Sequence, residues 1–124
     1  MSVFLDTSAL IRYFTDDDIK KADLVESLLV KEDRIVIPEA VFPELEYVLS
    51  KQYFYSREKL LKVYLFLINV DTISTTSTTK IAVAIYKSHN LDMADCLIAA
   101  HSFKGKLASF DENLLKVENI TPYW

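Results

Sequence analysis

Two periods alternate along the chain, and this alternation is what most restricts its fold. Short apolar runs of strand length stand at Ser2–Leu5 (SVFL), Arg34–Ile37 (RIVI), Val70–Ile73 and Leu107–Phe110 (LASF), with Asn119–Thr121 the candidate for a fifth. Between them lie longer stretches with helical patterning. Ser8–Phe14 reads as a short helix. Asp16–Asp18 caps a second, through about Val30, with Ile19, Ala22, Leu24, Val25, Leu28 and Leu29 at helical spacing. A third follows Pro38 to about Ser50, with Pro43 in its first turn, where the missing N–H costs least. Ser56 caps a fourth helix, Arg57–Ile68, Thr76–Thr79 a fifth to about His89, and Asp92 a sixth to about Phe103. Strands alternating with helices predict an α/β fold: a mainly parallel sheet of four to five strands, covered by helices on both faces as a three-layer sandwich.

Composition narrows the setting. At 124 residues, with no linker or repeat, one domain over residues 1–124 is expected. A 51% hydrophobic content argues against disorder, and the single cysteine, Cys96, rules out an internal disulfide and a cysteine-rich zinc site. Met1 is followed by SVFLD, without a basic leader, and the longest apolar run, Val63–Ile68, is far too short to span a bilayer. A soluble, cytoplasmic protein is expected. The net charge of −4 argues against coating nucleic acid by bulk charge. That charge is uneven: residues 1–50 hold 11 acids against 5 bases, whereas residues 51–106 hold 8 bases against 4 acids.

Four acids stand where parallel sheets build their sites, beyond the carboxyl ends of the strands. Asp6 follows the first strand and Asp111 the fourth. Asp95 lies in the first turn of the helix opened by Asp92, and Glu44 lies early in the helix after the second strand. Glu44 shares helical spacing with Val41, Leu45 and Val48, which predicts a carboxylate on a core-facing stripe, costly unless paired. A lysine or arginine partner and a shared metal both satisfy that requirement. Asp6 could be a helix cap, but Thr7 and Ser8 could cap as well, which frees it for other work. Asp92 and Asp95 have the spacing of a helix cap and its third residue, so capping is the simpler role for Asp92. Carboxylates gathered in one pocket repel, and a hard divalent cation, Mg²⁺ or Mn²⁺, removes that penalty. Such an ion suits phosphoryl chemistry, with the basic middle segment holding a polyanionic backbone.

The segments VFLDTSALIRYF, IPEAVFPELEYVLSKQY, LDMADCLIAAHS and ASFDENLLKV, in this order and at this chain length, resemble the PIN-domain nucleases. Small single-domain PIN proteins of this type look like the toxin halves of toxin–antitoxin pairs, the virulence-associated protein C (VapC) type. The resemblance implies a PIN-like α/β/α domain and Mg²⁺- or Mn²⁺-dependent hydrolysis of RNA phosphodiester bonds by an activated water. It puts Asp6, Glu44, Asp95 and Asp111 on the acidic metal-binding positions and Asp92 on an extra acid found in many relatives. Ser8 falls on a position that supports the first Asp, and Ser109 on one that orients the site by hydrogen bonding. It further implies a small antitoxin protein held by the early helices, and a homodimer. The helix Arg57–Ile68, apolar nearly all round in its second half, is a candidate for either contact.

Other readings compete. A housekeeping RNA-processing nuclease would share the chemistry. A receiver-type signalling domain needs paired acids after the first strand, an Asp ending the third and a late Lys, and this chain lacks that pattern. A haloacid-dehalogenase-like phosphatase needs a second Asp where Ser8 stands. A catalytically idle binding module would use its acids only as caps and ion-pair partners. His89 and His101 read as surface or helix-end residues, Cys96 as a small buried residue, and Tyr53-Phe54-Tyr55 as core packing or a subunit contact.

Overall fold

The computed structural model describes residues 1–124, which divide into two compact units, Met1–Thr75 and Thr76–Trp124. The first is built on a parallel sheet of β1 (Val3–Phe4), β2 (Ile35–Val36) and β3 (Ile73–Ser74), in that order. Val3 pairs with Ile35, and Ile35 with Ile73. Parallel neighbours need crossover connections, and helices supply them. These are α1 (Thr7–Thr15) and α2 (Ile19–Lys31) between β1 and β2, then α3 (Val41–Gln52) and α4 (Arg57–Asn69) between β2 and β3.

Side chains alternate across a strand. Leu5, Ile35, Ile37 and Ile73 are therefore buried on one side, while Phe4 stays 67% exposed on the other. Leu10 of α1, Phe42, Leu45 and Leu49 of α3, and Tyr64 and Leu67 of α4 are fully enclosed. The Tyr64 hydroxyl donates to the Phe42 carbonyl at 3.0 Å, which satisfies a polar group that burial would otherwise penalise.

Three expectations need correction here. The third strand lies at Ile73–Ser74, starting three residues later than expected and ending one later. Val70 ends α4, and its carbonyl accepts from Ile73 N–H at 3.0 Å, so Asp71–Thr72 turn instead of extending. In α2 only Ala22 and Val25 are buried, while Ile19 and Leu24 are each 71% exposed. The helix has more apolar residues than its packed stripe against α1 can hold. Tyr53-Phe54-Tyr55 packs only in part: Tyr53 and Tyr55 are half-buried, while Phe54 is 85% exposed, at φ 58. With only one glycine in the chain, left-handed backbone positions fall to Asp16, Phe54 and Asn119. Pro43 does lie in the first turn of α3, as its missing N–H requires.

In the second unit α5 (Ser77–Ser88) packs on α6 (Met93–Ser102), and α6 on the short α7 (Glu112–Leu115). Thr79, Val83, Tyr86, Met93, Cys96, Ala99 and Leu114 are buried there. The tract STTSTT caps α5: Thr76 Oγ1 accepts from Thr79 N–H at 3.1 Å. His89 ends α5 and His101 lies in the last turn of α6. The segments expected as fourth and fifth strands meet in one parallel bridge, Leu107 with Pro122. Leu107 N–H donates to Thr121 O at 2.8 Å, and Tyr123 N–H to Leu107 O at 2.9 Å. No helix is long and apolar enough to cross a membrane.

Candidate active site

Asp6 stands at the seam between β1 and α1. Leu5 N–H still bonds to the sheet, on Val36 O at 3.0 Å, and Asp6 itself is the extended N-cap of α1. Its Oδ1 accepts from Ser8 Oγ at 2.8 Å and from Ala9 N–H at 3.1 Å. Asp6, not Thr7 or Ser8, is therefore the cap, a correction to the expectation that it was free of that duty. The Ser8 hydroxyl, and then the Ala9 amide, hold the Asp6 carboxyl below its ordinary 3.8 by favouring the charged form. Oδ1 takes both bonds.

Glu44 lies in the first turn of α3, a position that favours negative charge at the end of the helix dipole. Its flanking residues follow the expected stripe, with Val41 and Leu45 buried, but Glu44 itself is exposed. The burial cost argued from its spacing therefore does not arise, because Glu44 sits where the stripe opens to solvent. It opens onto a cavity of about 490 Å³ that it shares with Asp6, Ser8, Arg12, Gln52 and Tyr53. Neither Asp6 nor Glu44 forms a salt bridge.

Arg12, the one cation lining this cavity, is engaged elsewhere. Its Nη1 donates to Asp17 Oδ1 at 2.9 Å and Oδ2 at 3.0 Å, and Tyr53 Oη donates to Asp17 Oδ2 at 2.5 Å. The Tyr53 hydroxyl first, and Arg12 second, push the Asp17 carboxyl down to about 2, and Asp17 in turn raises the Tyr53 phenol. Sequence reasoning missed this network. Ser8 and Arg12 are four residues apart, hence on one face of α1, and that signal was available. The pairing of Asp17 with Tyr53 spans 36 residues and left no local trace.

The second unit presents the remaining acids, each on a helix start. Asp92 caps α6, its Oδ1 accepting from Asp95 N–H at 2.8 Å, and Asp95 is half-buried in the first turn. Asp111 caps α7, accepting on Oδ1 from Asn113 N–H at 3.0 Å and Leu114 N–H at 3.2 Å. Ser109 Oγ accepts from Asp111 N–H at 3.0 Å, so it steadies the backbone of Asp111 and not its carboxylate. Asp6, Asp92 and Asp111 thus share one local device, a carboxylate fixed by the amides of the helix it begins.

The profile of the PIN domain matches residues 3–120, across both units. The chain belongs to the PIN domain family. PIN domains are generally nucleases, and this one has the family's helix-rich α/β architecture with a parallel sheet. No curated protein and no solved structure matches the chain. PIN domains typically use divalent metals. In this PIN domain no three His, Cys, Asp or Glu side chains are gathered closely enough to cage an ion by themselves. The donors in the Asp6–Glu44 cavity nevertheless fit a hard cation of the Mg²⁺ kind. They are oxygen only, unpaired with lysine or arginine, and such an ion is usually bound by one or two carboxylates and keeps several waters.

The cavity with the acids is not the largest. A cavity of about 550 Å³ between α1, α2 and α4 is lined by Tyr13, Phe14, Tyr55, Lys59, Lys62 and Phe66. Its aromatic rings pack on one another, with Tyr13 and Phe14 centroids 5.2 Å apart, and Lys59 Nζ lies 4.0 Å above the Tyr55 ring. Asp16 and Glu26 also line it, on a wall that carries Lys59 and Lys62 as well, whereas no lysine lines the cavity of Asp6 and Glu44.

Proposed function

We propose that this PIN domain is a Mg²⁺- or Mn²⁺-dependent endoribonuclease, the toxin half of a VapBC-type toxin–antitoxin pair. The observation that carries the reading is the pairing of Asp6 and Glu44 in one cavity without a neutralising lysine or arginine, while Arg12 is held off by Asp17. An ion-pair role for Glu44, the bland alternative, has no partner to support it. Asp6 and Glu44 would hold the cation; Asp95 and Asp111, which the family resemblance also puts on acidic metal-binding positions, stand in the second unit. Asp92 is taken as a helix cap first. When bound, the cation supplies positive charge for the phosphate and makes a water acidic enough to attack phosphorus near neutral pH.

The chain's own residues do the rest. Ser8 and the Ala9 amide keep Asp6 ionised and oriented. Glu44, exposed on the cavity wall, adds negative charge that favours a cation there. Hydrolysis adds water across one P–O bond and leaves a phosphate monoester and a free hydroxyl.

The partner reading rests on the larger cavity, whose aromatic wall and two lysines suit an amphipathic segment of a small antitoxin protein. The homodimer is supported by the exposed apolar side of α2, Ile19 and Leu24, and light scattering tests it. The activity is tested by RNA cleavage with wild type and Asp6→Asn, in Mn²⁺ or EDTA. Cleavage only by wild type in Mn²⁺ is expected. Cleavage that survives both EDTA and Asp6→Asn overturns the mechanism.

A further inference from the structure

We propose that Arg12 is a strand-positioning residue of this site, taking a phosphate of the RNA backbone beside the one that is cleaved. The inference deepens the nuclease reading and rests on it. Arg12 lies one helical turn beyond Ser8 on α1 and lines the cavity of Asp6 and Glu44. A guanidinium among carboxylates is drawn to them, and bound there it would compete with a cation for the same oxygens. Arg12 bonds neither. Asp17 holds it by Nη1 alone, and Tyr53 fixes Asp17 in place.

This arrangement does two things. It keeps Arg12 clear of Asp6 and Glu44, and it leaves the Nη2 and Nε donors without a protein acceptor. A guanidinium has five N–H donors in a planar fork that matches phosphate oxygens, and the three outside Nη1 are available to one. Arg12 is about one-third exposed, so a strand lying over the cavity reaches it without rearrangement. A purely structural salt bridge would account for the bond to Asp17. It gives no reason for the bridge to stand on the cavity wall with its remaining donors unused.

The test is a salt titration of binding. A labelled single-stranded RNA is followed by anisotropy over a range of KCl concentrations in Mn²⁺, in an Asp6→Asn background where cleavage is expected to be off. Arg12→Ala should lower the slope of log affinity against log salt by about 0.7, the loss of one single-strand phosphate contact. In the otherwise wild-type enzyme the same change should raise KM by about 10-fold, more than it lowers kcat. Arg12→Lys, which keeps the charge and loses the fork, should retain the slope with an intermediate KM. If Arg12→Ala fails to fold, Arg12→Gln carries the same measurement. A slope in Arg12→Ala or Arg12→Gln equal to that of its parent overturns the assignment and leaves the nuclease reading standing. Wild-type cleavage by Asp6→Asn overturns the reading itself.

Discussion

Tyr53, at the end of α3, donates its phenol to Asp17 Oδ2 at 2.5 Å across 36 residues of sequence. Phe54, in the left-handed region at φ 58, reverses the chain directly after it. Tyr55 then reaches the same end of α1 and donates to Phe14 O at 3.0 Å. Two consecutive odd-numbered tyrosines thereby tie the α3–α4 turn to the α1–α2 turn. Removing the phenol in Tyr53→Phe takes away the largest cause of the low Asp17 pKa. The Asp17 carboxyl should then titrate above about 2 and still below 3.8, because Arg12 remains, and carboxyl NMR titration measures it directly.

The same carboxyl makes stability pH-dependent. Its folded-state pKa, about 2, lies below its ordinary 3.8, so the unfolded chain binds the proton more tightly. Its contribution is complete above the ordinary value and disappears as pH falls through about 2. Asp17→Asn should therefore be less stable than wild type at neutral pH, with the gap closing in acid, in urea melts run from pH 7 to pH 2. A constant gap across that range would contradict the assignment.

Glu44→Gln separates chemistry from fold. The side chain is exposed, so the change should cost less than about 1 kcal/mol, the scale of a charge at a helix N-terminus. Activity should fall by more than about 100-fold, since even outer-sphere partners of a metal cost 10- to 100-fold. Thermal melts and RNA cleavage on one preparation read both quantities. Full activity would remove Glu44 from the site.

Mn²⁺ should raise the melting temperature without any RNA present. A ligand that binds only the folded state stabilises it by about 2.7 kcal/mol at 100 times its Kd. Asp6→Asn should lose most of that gain, as should Glu44→Gln. Differential scanning calorimetry with and without Mn²⁺ checks this. An idle binding module would show no shift in any of the three proteins.

Asp92 is tested by keeping the cap and removing the charge. Asp92→Ala should cost about 1 kcal/mol through α6, while Asp92→Ser, which also caps, should recover most of it. The serine variant is expected to cleave RNA like wild type. Stability restored with cleavage lost would make Asp92 a ligand.

The sequence by itself determined the local events. Ser56, Thr76 and Asp92 were legible as caps, because a helix start needs a short polar side chain for its free amides and little else. The strand–helix alternation and the parallel sheet were legible for the same reason, since periods of 2 and 3.6 record which face is buried. The acids Asp6, Glu44, Asp95 and Asp111 could be named from the motifs that contain them.

Only the tertiary structure decided what each acid faces. Helical spacing put Glu44 on a buried stripe, but whether a stripe meets core or cavity depends on what packs opposite it, and there Glu44 opens to solvent. Local choice of cap was equally open, since Asp6, Thr7 and Ser8 all have capping oxygens, and the sheet's hold on Leu5 placed Asp6 at the N-cap. The pairing of Arg12 and Tyr53 on Asp17 needed two turns, 36 residues apart, brought face to face. No periodicity encodes such a meeting, because it follows from how helices pack and not from what any one of them buries.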